Sequence, residues 1–436
     1  MGLERFIIRW LRMLAAAMAL VFAVNAGAEP RAQNEQKAQK EQPKEPQAPK
    51  LFDIPLQLYL AKGAHNACGE GCSEWIAVEG DFDANAPGRV QAFLNRHGAR
   101  KLPIFFQSPG GDARAAIAIG RLLRQRELTA GVGATIPQGC TSINDWSNAC
   151  KAAKRSAQPV AAAWWPNTGC HSACVYALIG AKVRLVPPSA RLGVHAVRLT
   201  TPRTPAQDRA GLAEINAQLR RYVRDMGMDD RLFETANRVP HESIYHLNRD
   251  EIAAYGIDRR EHAESTWFIQ LAARATYLAQ WFVEARGPVH KDYRLSLVLF
   301  SCATVDRVAV TYVRGLTSDE IGRPLTAALS IGGRRTILAL TGRGTRQDTV
   351  EVGSLFSSGN GSITFDELAL AAASDVITIT ETDRFAATND TRVVRLSIHG
   401  LAEGIKSLRA KCGLPVSNQA DGEQMGAATP AARRKR

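Results

Sequence analysis

Between Glu74 and Gly133 the chain alternates strand and helix signals, and that order limits the folds open to it. Glu74-Trp75-Ile76-Ala77-Val78-Glu79-Gly80 reads as a short strand ended by a glycine. Pro87 to Gly98 follows, with Val90, Phe93 and Leu94 on one helical face. Leu102 to Phe106 is an apolar strand, and about Asp112 to Arg126 is a helix burying Ala116, Ile117, Ile119 and Leu123. Thr129 to Gly133 opens a third strand. Strands separated by helices in this way run parallel and are joined by right-handed crossovers, so the expected core is a parallel α/β layer.

Residues suited to chemistry fall at the ends of these elements. Ser108-Pro109-Gly110-Gly111 lies between a strand and a helix, in a turn able to expose backbone N–H groups to an oxyanion. Gly169-Cys170-His171-Ser172-Ala173-Cys174 precedes the apolar run Val175 to Gly180 and so sets Ser172 at the start of a buried helix. There the unpaired N–H groups and the helix dipole favour developing negative charge. A hydroxyl needs a base to act as a nucleophile, and His195, in Gly193-Val194-His195, is the best-placed candidate. The competing reading makes Ser172 a small residue at a tight helix start and His195 a satisfied core histidine.

Ala134 to Thr168 interrupts the pattern as an insertion rich in polar and small residues. A loop of that length is either held by a Cys140–Cys150 staple or caps the groove above Ser172. Past the serine come strands at Lys182–Val186 and Leu192–Val197. Thr204-Pro205-Ala206-Gln207 then begins a helix with a capping box. Leu212, Ile215, Leu219, Tyr222, Val223 and Met226 mark its buried face, and shorter helices follow at about Asp229–Asn237 and Leu247–Ala254.

From about Trp75 to Asp258, somewhat under half its length, the chain resembles the ClpP/crotonase superfamily, and within it the Clp-type serine peptidases rather than the acyl-CoA enzymes. The resemblance is carried by Gly80, the Ser108–Gly111 turn, Ser172-Ala173, Gly180, Arg184, Pro188, Gly193-Val194-His195, Glu251, Tyr255-Gly256 and Asp258. The chain also resembles exported proteins with a Cys-x-Ser-Ala-Cys nucleophile region. The resemblance implies a ClpP/crotonase-like α/β core with Ser172 as nucleophile and His195 as general base. It implies Gly111 and Ala173 backbone N–H groups as the oxyanion hole. The family's third member, an aspartate eleven residues before the tyrosine, falls on Ile244, which cannot orient an imidazole. Glu242 and Ser243 are the nearby substitutes. Loss of the orienting carboxylate can cost about four orders of magnitude in rate.

Two functions therefore stay open. One is an exported serine hydrolase, a peptidase with a Ser172–His195 dyad acting on a peptide or protein. The other is a catalytically inactive Clp-like scaffold or adaptor, a pseudoenzyme that binds protein or envelope partners. Neither needs a cofactor, and no metal is expected, because Cys170, His171 and Cys174 would have to supply three ligands within one helical turn. Clp-type relatives form rings through the unit corresponding to about Thr204–Asn237, which implies a homo-oligomer unless the C-terminal region blocks it.

That region changes character. Residues 261–290 read as a connecting helix, with Phe268, Leu271, Leu278, Trp281 and Phe282 apolar. Residues 291–413 read as a mostly-β domain, a sandwich or barrel, with strand candidates from Leu295–Phe300 through Thr349–Val352 and Ser362–Phe365 to Arg392–Ile398. A final helix near Leu401–Lys411 closes it, and the domain is either a binding module or purely structural. At the other end, Arg5, Arg9 and Arg12, the apolar run Met13–Val24 and Ala26-Gly27-Ala28 read as an export signal over residues 1–28, or as an uncleaved anchor. Residues 29–50 read as a disordered polar linker, residues 51–260 as the α/β domain and residues 414–436 as a disordered basic tail. The expected location is periplasmic or secreted, where eight cysteines favour disulfides. Cys302 and Cys412 are the pair of the C-terminal region, while Cys68 and Cys72, Cys140 and Cys150, and Cys170 and Cys174 are neighbours in sequence. The net charge of +13 is dispersed, and no basic stripe is interleaved with stacking aromatics, which argues against nucleic acid. A membrane surface or an anionic envelope polymer stays open as a partner.

Overall fold

In the computed structural model the described residues are 54–97, 100–145, 147–199, 204–272, 275–286, 292–316, 325–331, 334–345, 355–374, 376–383 and 391–413. The expected signal, linker and tail lie outside them, as does the strand expected at Thr349–Val352.

The first half is built on β1 (Gln57–Lys62), β2 (Glu74–Glu79), β3 (Ile104–Gln107), β4 (Thr129–Val132), β5 (Ala134–Pro137), β6 (Val160–Trp165) and β8 (Val183–Leu185). They form one sheet in the order β5-β6-β1-β2-β3-β4-β8. β2, β3, β4 and β8 run parallel, and β1 is antiparallel to β2. One face carries α1 (Ala86–His97), α2 (Ala113–Gln125), α4 (Ala173–Ile179), α5 (Pro205–Asp225), α6 (Arg231–Arg238) and α7 (Arg249–Ala254). Local chemistry starts these helices. Asp112 caps α2 by accepting from Ala115 N–H, and Thr204 and Gln207 close a capping box at α5. α2 and α4 meet at two glycines: a Cβ on Gly180 would lie 2.2 Å from Gly120 O, closer than any side chain allows.

The other face is covered by the segment expected to be a loop. Residues 134–168 instead supply β5, α3 (Asn148–Lys154) and β6, with β5 antiparallel to β6 and β6 parallel to β1. In the run Val160-Ala161-Ala162-Ala163-Trp164-Trp165, pairing with β1 and β5 carries the three alanines into a strand that Val160 and the two tryptophans favour. Trp164 packs on Phe105 with ring centroids 5.1 Å apart, and Trp75 Nε1 donates to Thr135 Oγ1 at 2.8 Å. Lys154 Nζ reaches Glu79 at 2.7 Å, with both side chains buried. Burial raises the Glu79 pKa more than the Lys154 charge lowers it. These contacts dock the insertion on the sheet face away from the helices.

The second half is strand-rich. β11 (His262–Glu264), β12 (Phe268–Ala272), β13 (Ala275–Arg286), β14 (Asp292–Cys302), β15 (Arg307–Gly315), β18 (Gly342–Thr345) and β19 (Leu355–Thr364) form one antiparallel sheet. β16 (Leu325–Ile331), β17 (Arg334–Leu340), β20 (Val376–Asp383) and β21 (Thr391–Ser397) form a second. Phe300, Val310, Leu329, Leu338, Ile379 and Leu396 share a core beneath α8 (Phe365–Ala372) and α9 (Leu401–Cys412). Where the connecting helix is expected over 261–290, the described residues instead supply the strands β11, β12 and β13. β13 is buried on both faces: Leu278 and Phe282 enter that core, while Ala279, Trp281 and Val283 pack with Tyr293 and Leu297. With no polar face, its apolar residues show no period of two. Both halves belong to one compact unit. Trp165 packs edge-on against Phe268, centroids 5.3 Å apart, and Tyr293 N–H donates to Asp250 Oδ1 at 2.6 Å.

All eight cysteines are paired, as Cys68–Cys72, Cys140–Cys150, Cys170–Cys174 and Cys302–Cys412, a pattern that fits an oxidising environment. Among the described residues no helix is long and apolar enough to cross a membrane.

Candidate active site

A small sheet holds Ser172 and His195. β7 (Gly169–His171) lies parallel to β9 (Arg191–Val194), and β10 (Tyr245–His246) is antiparallel to β9. Ser172 sits between β7 and α4 with φ +53° and ψ −120°, a backbone conformation costly for a residue with a Cβ. Three bonds hold it there. Ser172 N–H donates to Gly193 O at 2.7 Å, His171 N–H donates to Ser108 O at 3.0 Å, and the buried Cys170–Cys174 disulfide brackets the serine. The Ser108–Gly111 turn lies directly against this elbow. A Cβ on Gly110, whose φ is +120°, would stand 2.7 Å from Ser172 Cβ and 3.2 Å from Ala173 N.

That turn leaves particular donors free. Ser108 Oγ donates to Gly80 O at 2.6 Å and accepts from Gly110 N–H at 3.1 Å, so the Gly110 donor is used. Gly111 N–H has no backbone acceptor among the described residues. Ala173 N–H is the first of α4 and has no intrahelical acceptor.

His195 follows β9 directly. Its Nδ1 lies 2.9 Å from Ala196 O. A carbonyl only accepts, so Nδ1 carries the proton and Nε2 of the neutral ring keeps the lone pair. The Ser172 hydroxyl makes no capping bond, and among the described residues no hydrogen bond joins it to His195. Such bonds commonly form only with substrate bound. β10 pairs Tyr245 with Val194, so Ile244 is one step further along, opposite His195, with its side chain 43% exposed.

The two substitutes expected for the missing carboxylate do not reach the imidazole. Among the described residues Glu242 makes no hydrogen bond to His195, and Ser243 N–H turns back to Pro240 O at 2.9 Å. What meets His195 is His241, ring centroids 5.0 Å apart at 70°. His171 and His246 form a second pair, 5.4 Å apart. Burial, then His246, Arg191 and His195, bring the His171 pKa down to about 4. Burial and Arg191 lower His246, and burial, Arg198 and His195 lower His241. Sequence reasoning missed this grouping; its one signal was that four of nine histidines fall between residues 171 and 246.

Other residues behind the resemblance are structural. Arg184 donates to Ile257 O at 2.6 Å and Ala181 O at 2.7 Å, tying β8 to the end of α7. Asp258 accepts from Val186 N–H at 3.0 Å. Burial alone would raise its pKa, but Arg260 and Arg249 hold it well below the usual carboxylate range. Cys140, Asp145 and Cys150 gather metal-type ligand atoms within 4.8 Å, yet the two sulfurs are bonded to each other and offer no thiolate. A cleft of about 920 Å³ opens at the starts of β2 and β4, beside the Cys68–Cys72 loop and residues 260–266, and its lining includes neither Ser172 nor His195.

No family model matches the chain, and no curated protein matches it. Among solved structures, it is similar to a mutant of the 1510-N membrane-bound stomatin-specific protease, at 12% identity and a TM-score of 0.25, over 41% of this chain and 73% of that one.

Proposed function

We propose that this protein is a serine hydrolase of the peptidase kind, with a Ser172–His195 dyad. Ser172 Oγ bonds to the substrate carbonyl carbon while its proton passes to His195 Nε2. The oxygen, now negative, is received by Gly111 and Ala173 N–H groups, a single such donor being worth about 3 kcal/mol in the transition state. Collapse breaks the bond to the leaving amine, which takes the proton from Nε2, and water then repeats the sequence on the acyl-enzyme. The observation that carries this reading is the backbone of Ser172: a side-chain-bearing residue at φ +53°, clamped by a disulfide and two cross-strand hydrogen bonds. Backbone strain of this kind clusters at active sites, where the surrounding structure holds it in place. We further propose an exported protein acting on peptide or protein substrates, consistent with four disulfides.

A fluorophosphonate probe tests the reading. The folded, disulfide-bonded protein should be labelled, and Ser172→Ala should abolish labelling without lowering the melting temperature. An unlabelled folded protein sinks the hydrolase. A second reading, a Clp-like scaffold or adaptor, is favoured by one observation: the exposed Ile244 opposite His195. Under it the exposed edge of β10 would bind a partner without cleaving it.

A further inference from the structure

We infer that His241 is the positioning residue of His195, standing where such a hydrolase would otherwise carry a carboxylate; the inference rests on the hydrolase reading above. His241 belongs to the segment between α6 and β10. Ala196 N–H donates to Val239 O at 2.9 Å and fixes that segment beside His195. The two rings then meet edge to face, centroids 5.0 Å apart.

His241 Nδ1 is buried without a hydrogen-bond partner. Burial, Arg198 and His195 lower its proton affinity, against smaller opposite effects of the Ala196 carbonyl and Glu242, so at neutral pH the ring is uncharged. His195 also acts on the ring of His171, on β7, together with burial, His246 and Arg191.

A neutral imidazole in this place has two effects. It hinders rotation of His195 away from Ala196 O, which keeps the proton on Nδ1 and the basic lone pair on Nε2. It also offers a polarisable ring, not a second charge, to the imidazolium formed when Ser172 gives up its proton.

The test is the rate of fluorophosphonate labelling of Ser172 across pH, on the full disulfide-bonded chain, for wild type and three substitutions. His241→Ala should slow labelling by about 10- to 100-fold and change the shape of the pH profile. His241→Asp and His241→Gln, which lack the ring, should also label more slowly than wild type. A folded His241→Ala protein with the wild-type rate and profile overturns the inference. So do folded Gln and Asp variants that label at the wild-type rate, and that pair decides the matter even if the alanine variant unfolds. A wild-type protein that takes no label overturns the hydrolase reading first, and this inference with it.

Discussion

The two halves of the molecule use their disulfides differently. The α/β half has three, closing sequence separations of 4, 10 and 4 residues, and the β half has one, spanning 110. Chain entropy makes short loops weak stabilisers of a whole fold and long loops strong ones. The short bridges instead fix local backbone: Cys170–Cys174 at Ser172, Cys140–Cys150 at the start of α3, and Cys68–Cys72 at the cleft. The long bridge ties the end of β14 to α9 and closes the stretch from β15 to α9. Covalent bonds thus hold positions in one half and the fold itself in the other.

The largest expected effect tests the second clause. Replacing Cys302 and Cys412 together by alanine should cost about 5 kcal/mol in urea unfolding, the value for a loop of that length. A loss under about 2 kcal/mol would mean that the two sheets and α9 need no closure, and the contrast would fail.

Next comes the buried pair under the insertion. Lys154→Met should cost about 3 to 5 kcal/mol, because Glu79 loses its close cation within the protein. The double variant with Glu79→Gln should regain much of it. The Glu79 pKa is already raised by burial, so the Lys154→Met protein should be most stable at low pH and weaken as pH rises through the folded value. Urea midpoints at two pH values would show it, and a pH-independent loss would count against it.

The site staple should behave the opposite way from Cys302–Cys412. Removing Cys170 and Cys174 together should cost only about 2 kcal/mol of stability. Labelling of Ser172 should nevertheless fall about 100-fold, since a displacement near 1 Å at a reacting group has that consequence. Equal effects on both quantities would erase the distinction between holding a position and holding a fold.

The smallest effect is electrostatic. Asp81 lies beside Gly111, and burial, then Asp83 and Asp112, raise its pKa to about 6. A raised carboxyl favours the fold while protonated, and that contribution is lost as pH climbs from the ordinary carboxylate value towards about 6. Asp81→Asn should therefore stabilise by about 1 kcal/mol at neutral pH, after allowing for its partial exposure, and do nothing in acid. Thermal melts under both conditions decide it.

The legibility of the chain divides along the same line. Short parallel strands ended by Gly80, the Ser108–Gly111 turn and Gly133 announce themselves, because one turn after another must be glycine or proline. β13 did not, since both its faces are buried. β20 places Glu381 inward, where it accepts from Tyr312 OH at 2.5 Å and Arg314 Nε at 3.0 Å, so its polar and apolar positions no longer sort by face. α8 was missed as well, although Thr364 and Glu367, which form its capping box, stand in the sequence. Ser172 stood out because it is set in small residues just ahead of an apolar run, and His195 because it is the best-placed base after it. His241 had no such mark, as its place beside His195 depends on one long-range hydrogen bond, from Ala196 to Val239.

The bond from Ser172 N–H to Gly193 O joins the strand that delivers the serine to the strand that delivers the histidine. Its amide proton can exchange with deuterated solvent only when those strands part. The exchange rate of that one proton therefore reports how often Ser172 and His195 come apart in the resting molecule, with no substrate or probe present.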